Sequence, residues 1–191
     1  MRCPDNAGVE DGGRSRLVSC HAPGLFIGRA LLSPVDTPEL AALVPGFMAR
    51  HPGQEWTLTS GTAAGEDLVV TLSPMTAPER IATVRVLAGA EVFLFDFSGY
   101  SSADFAYDDE DRPATLQERI DLAVAATLGP TRVTLDFDRD VIVASTLVID
   151  PDGQGSHEYS PFSWPLRRLK ARVRGRRISR QVIDLPATGG I

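Results

Sequence analysis

Lysine is almost missing from this chain. Lys170 is the single example, and every other basic residue of the 19 is arginine. Such a bias reads first as genome composition of a high-GC, bacterial kind and second as chemistry. Cysteine is nearly as scarce. Cys3 and Cys20 are the only two in 191 residues, too few for a disulfide scaffold, so reduced thiols are expected. No apolar run reaches membrane-spanning length. The opening M-R-C-P-D-N-A-G-V-E-D-G-G-R-S-R lacks the apolar stretch of a secretory signal. The expectation is a cytoplasmic chain with no membrane partner.

Motifs of catalysis are missing too. His21, His51 and His157 are the only histidines, and none has metal-ligand spacing with cysteine or another histidine. There is no G-x-S-x-G, no H-E-x-x-H and no phosphate-binding glycine loop. No catalytic residue, metal or cofactor is therefore expected.

What is present is an ordinary globular composition, 43% hydrophobic and 7% aromatic, which can bury a core. The length suits one domain. Residues 1–16 read as a disordered tail, 17–185 as a single α+β domain and 186–191 as a loose tail. The organising stretch is Tyr107 to Pro130. Thr115 and Glu118 form a capping-box pattern, in which each side chain satisfies a free N–H of the first turn. Leu116, Ile120, Ala123, Val124 and Leu128 share a helical face, and Gly129-Pro130 supplies the stop. This predicts a buried helix over 115–128, packed on one face of a sheet.

Thr37-Pro38-Glu39 opens a short helix near 38–48, which Pro45 is expected to break or kink. Residues 24–33, 56–60, 67–73, 81–87 and 91–97 read as strands, and 98–106 as a loop or edge strand. Residues 132–137 and 141–149 read as a hairpin, with a last strand at 178–185. The sum is one mainly antiparallel sheet of about five to eight strands.

Charge is unevenly spread. Residues 1–166 hold 11 basic and 24 acidic residues, whereas 167–191 hold 8 basic residues and one acid, Asp184. Arg167, Arg168, Lys170, Arg172, Arg174, Arg176 and Arg177 fall in a helix pattern near 164–174 and just beyond it, with Ser163 as cap and Gly175 as stop. These residues could bind phosphate, as in a nucleic-acid partner, or pair with the acidic remainder of the chain. Asp108, Asp109, Glu110 and Asp111 form the opposite pole, in position to receive a basic protein partner. Asp136, Asp138 and Asp140 begin like a calcium loop, but Val141 stands where its glycine belongs. His157 beside Glu158 is the one place where an acid–base pair could act. Strand neighbours point to opposite faces, which weighs against it.

Leu185-Pro186-Ala187-Thr188-Gly189 resembles the sorting pentapeptide of sortase substrates over five residues only. Such substrates continue into an apolar span and a basic tail, and here Gly190 and Ile191 come next, so the match reads as coincidence. The leading functional expectation is a non-catalytic protein-binding protein of immunity or adaptor type. Nucleic-acid binding through 167–180 is the alternative, and an enzyme using His157 is the third.

Overall fold

The computed structural model describes residues 37–60, 66–87, 89–153, 156–159 and 177–189. They form an α+β architecture of two helices and two antiparallel sheets. The tail at 1–16, the strand expected at 24–33 and the basic helix near 164–174 lie outside the described residues.

The first sheet is a meander of β1 (Gln54–Ser60), β2 (Glu66–Pro74), β3 (Ala82–Leu87), β4 (Val92–Phe97) and β5 (Tyr100–Phe105), in that spatial order. Strict alternation builds it. Leu68, Val70 and Leu72, then Ala82, Val84 and Val86, then Phe93, Phe95 and Phe97 are all buried. Thr71, Thr83, Arg85 and Asp96 take the intervening positions, on the opposite face. The register sets Leu72, Ala82, Phe97 and Tyr100 in one row across four strands. Each large apolar side chain in such a row contributes about 1.5–3 kcal/mol by leaving water. The stretch 98–106, ambiguous in sequence, supplies the edge strand β5.

Two helices cover this inner face. α2 (Arg112–Leu128) packs on β2, β3 and β4, and α1 (Thr37–Met48) packs on β1, β2 and α2. Two sequence expectations are corrected here. Thr115 does not cap α2: the helix starts at Arg112, and the Thr115 hydroxyl donates back to the Asp111 carbonyl at 3.0 Å. Pro113 in the first turn is the operative signal, since its missing N–H would have had no helical partner there. The helix expected near 38–48 is present, but Pro45 does not break it: α1 runs on to Met48, with the Ala49 N–H donating to the Pro45 carbonyl at 2.9 Å. An interior proline costs about 3 kcal/mol. Burial of Leu40, Val44 and Met48, at about 1.5–3 kcal/mol each, outweighs it.

The single sheet expected from sequence is two, because α2 intervenes. Its 17 residues carry the chain about 25 Å. Beyond it, β6 (Thr131–Asp138), β7 (Val141–Ile149), β8 (His157–Tyr159) and β9 (Ile178–Leu185) pair in the order β8-β7-β6-β9. The hairpin at Arg139-Asp140 matches the sequence expectation, while β8 is an added strand. Arg132 faces Asp184 and Asp136 faces Arg180 across β6 and β9, with N–O distances of 2.6 and 2.8 Å. The two pairs run in opposite charge order, so a four-residue slip of β9 would set Arg132 against Arg180. The neighbouring carboxylates raise the pKa of both arginines, through hydrogen bonds first and charge second.

The sheets share one core. Val133, Leu135 and Leu147 of the second sheet join Phe93, Phe95 and Ile120 in a continuous cluster. Gly99, in the β4–β5 turn at φ +84°, lies so close to Leu135 that a Cβ there would come within 2.9 Å of its Cδ1.

The stop at Gly129 matches the sequence expectation. The loose tail expected after β9 is corrected, because residues 186–188 are tied down. The Thr188 N–H donates to the Leu128 carbonyl at 2.7 Å, and the Arg80 guanidinium donates to the Pro186 carbonyl at 2.6 Å. The sorting-like pentapeptide thus closes the C-terminus of α2. No described helix is long and apolar enough to cross a membrane.

Candidate functional site

The end of β5, the loop after it and the first turn of α2 meet at one corner of the first sheet. The Ala106 N–H donates to the Glu91 carbonyl at 3.0 Å, closing the open end of the β4–β5 hairpin. The Asp111 N–H donates to the Asp108 carbonyl at 3.0 Å, making a turn that leads into α2. Arg112 locks this arrangement. It is only 6% exposed, and its guanidinium lies 2.8 Å from Asp109 and 3.9 Å from Glu91. One of the four acids read as a partner-binding run is therefore committed internally. The other three are exposed, and Asp108, Glu110 and Asp111 have no ion-pair partner among the described residues. Their charge favours the α2 N-terminus and projects into solvent.

Beside them stand two aromatics that no sequence motif marks. Phe105 and Tyr107 are 53% and 72% exposed, with ring centroids 6.0 Å apart and planes inclined by 13°. Ala106 between them is buried. The pattern aromatic, small, aromatic at period 2 is the signal that could have found them, since it keeps both rings on one side of an extended chain.

The neighbouring edge is braced from behind. Arg119 of α2 reaches across to β5, donating to Asp104 Oδ2 at 2.7 Å and to the Ser102 hydroxyl at 3.5 Å. Asp104 Oδ1 accepts the N–H of Phe105 at 2.9 Å. Tyr100, further along the same strand, has its pKa raised by burial, against the opposing pull of a Ser102 hydrogen bond and the Arg119 charge.

The other sequence candidates are scattered. Arg167, Arg168, Lys170, Arg172, Arg174 and Arg176 lie outside the described residues. Arg177 is exposed just before β9. Arg180, on β9, is occupied by Asp136. His157 stands exposed on β8, the short edge strand. Of the described histidines, His51 is the one that meets a carboxylate, 2.9 Å from Asp121 Oδ1. Seventy residues separate the two, so no local motif announces the pair. Asp121 also lines a groove of about 370 Å³ with Glu118, Arg119, Leu122, Ala125 and Tyr159, a set without a serine, threonine or cysteine nucleophile. A second hollow, of about 580 Å³, lies by β1 and β2 around Trp56, Thr71 and Ile81. Asp136, Asp138 and Asp140 do not converge, and no group of three His, Cys, Asp or Glu residues among those described is placed to hold a metal.

Comparison with known proteins found no matching family model, no matching curated protein and no matching solved structure.

Proposed function

We propose that this is a protein-binding protein whose acidic–aromatic corner receives a basic segment of its partner. The observation that carries the reading is the exposed Phe105–Tyr107 stack followed directly in the chain by Asp108, Glu110 and Asp111, which have no ion-pair partner among the described residues. Large exposed aromatics are costly to hydrate and are enriched at interfaces. Arginine and lysine bind both elements of the corner, the ring faces by cation–π attraction and the carboxylates by charge-assisted hydrogen bonds. Arg112 and Arg119 hold the surrounding backbone, so the corner is preorganised and little conformational entropy opposes binding.

The test is affinity capture from the native cell with three baits: the unaltered protein, Phe105→Ala/Tyr107→Ala, and Asp108→Lys/Glu110→Lys/Asp111→Lys. All altered side chains are exposed, so the fold is expected to survive. A partner bound by the first bait and lost from both variants is the expected result. Identical capture by all three overturns the reading.

A further inference from the structure

We propose that the partner binds as an added β-strand along the outer edge of β5, which no described strand pairs, so that the corner recognises an extended basic peptide. This deepens the preceding reading and rests on it. The edge position is set by the sheet order, in which β5 is hydrogen-bonded to β4 alone among the described strands. The turn sets the direction of its backbone groups. Ser98 and Gly99, at φ +48° and +84°, form a two-residue turn of the primed type closed by Phe97 and Tyr100. The closing pair of such a hairpin is hydrogen-bonded, and bonded and non-bonded pairs then alternate. Tyr100, Ser102 and Asp104 therefore aim their N–H and C=O groups at β4, and Ser101, Ala103 and Phe105 aim theirs outward.

These three residues are also exposed. Two of them are small, which leaves room for an incoming backbone. The ladder has a built end: the outward N–H of Phe105 is already taken by Asp104 Oδ1. Those of Ser101 and Ala103 have no partner among the described residues. A strand paired there runs alongside the Phe105 and Tyr107 rings and toward Asp108, Glu110 and Asp111. Alternate side chains of that strand fall on the ring-bearing face. Charge complementarity makes those side chains arginine or lysine. Main-chain pairing supplies affinity, and the rings and carboxylates supply selection.

The probe is the peptide acetyl-Thr-Arg-Val-Arg-Val-Arg-Thr-amide, titrated into the full chain by calorimetry. Two derivatives are N-methylated at alternate backbone positions, one set on the arginines and the other on the valines. Loss of two or three ladder hydrogen bonds is expected to weaken binding by roughly tenfold or more for one set only. Ala103→Pro, which removes an outward N–H and leaves the pairing with β4 intact, is expected to weaken the parent peptide likewise. If both methylated peptides and Ala103→Pro bind as the parent does, while Asp108→Lys/Glu110→Lys/Asp111→Lys abolishes binding, strand addition is overturned and the corner reading stands. If the parent peptide does not bind, or the triple reversal has no effect on it, both fall.

Discussion

Arg112 and Arg119 do opposite things with the same chemistry. Arg112 is buried at the start of α2 and neutralises Asp109, removing one carboxylate from an acidic run that looks uniform in sequence. Arg119 crosses from the helix to the edge strand and holds Asp104, bracing β5, which pairs with β4 alone among the described strands. Neither role is legible in sequence, because both are set by which helical face meets the sheet edge. Tyr100 belongs to the same neighbourhood. Its phenol is kept neutral by burial, so its pKa is raised above the ordinary 10.0. The folded chain then retains a proton that the unfolded chain gives up. This contribution to stability is complete below about pH 10 and is lost as pH rises through the higher folded value. Urea unfolding at pH 9 and pH 11 is expected to show a steeper loss for the native chain than for Tyr100→Phe. Equal losses would show that Tyr100 ionises as freely in the fold as out of it.

At the scale of elements, sequence is most legible where periodicity and packing agree. β3 and β4 are legible because Val84, Val86, Phe93 and Phe95 alternate without interruption. The body of α2 is legible from Leu116, Ile120 and Ala123. Its start is not, because Thr115 matches a capping pattern and the structure uses Pro113 instead. β8 escapes a sequence reading because three residues are too few to show a period. The C-terminal segment looks like a tail in sequence because its contacts, to Leu128 and Arg80, lie 60 and 106 residues away. Gly129 joins these parts. It sits at φ +66°, and a Cβ there would stand 2.9 Å from the Pro186 carbonyl oxygen, a backbone atom. Gly129→Ala therefore meets both left-handed strain and a clash, and is expected to lose more than about 1 kcal/mol in thermal or urea unfolding. Gly89→Ala, at φ +67° in open space, is the control and should lose less. Equal effects would mean that the C-terminal segment does not press on the end of α2.

At the scale of the whole molecule, the described residues build a two-sheet core, and among them the charge of Asp108, Glu110 and Asp111 and the exposed Phe105–Tyr107 stack are left without an ion-pair partner or cover. Composition carries the sign of this: an acidic body, no catalytic motif and an acidic run before the main helix. It does not carry the aromatic half of the corner, because the exposure and stacking of Phe105 and Tyr107 follow from the placement of β5 at an edge, which the strand order shows. Nor does it pair His51 with Asp121, which only the packing of α1 against α2 brings together. The most direct test is an amide chemical-shift titration of the isotope-labelled protein with the arginine–valine peptide at low salt. The expected result is a set of perturbations centred on residues 101–112, lost in Phe105→Ala/Tyr107→Ala and weakened by added salt. Perturbations centred on the groove beside Asp121, or none at all, would contradict the assignment of this corner as the binding surface.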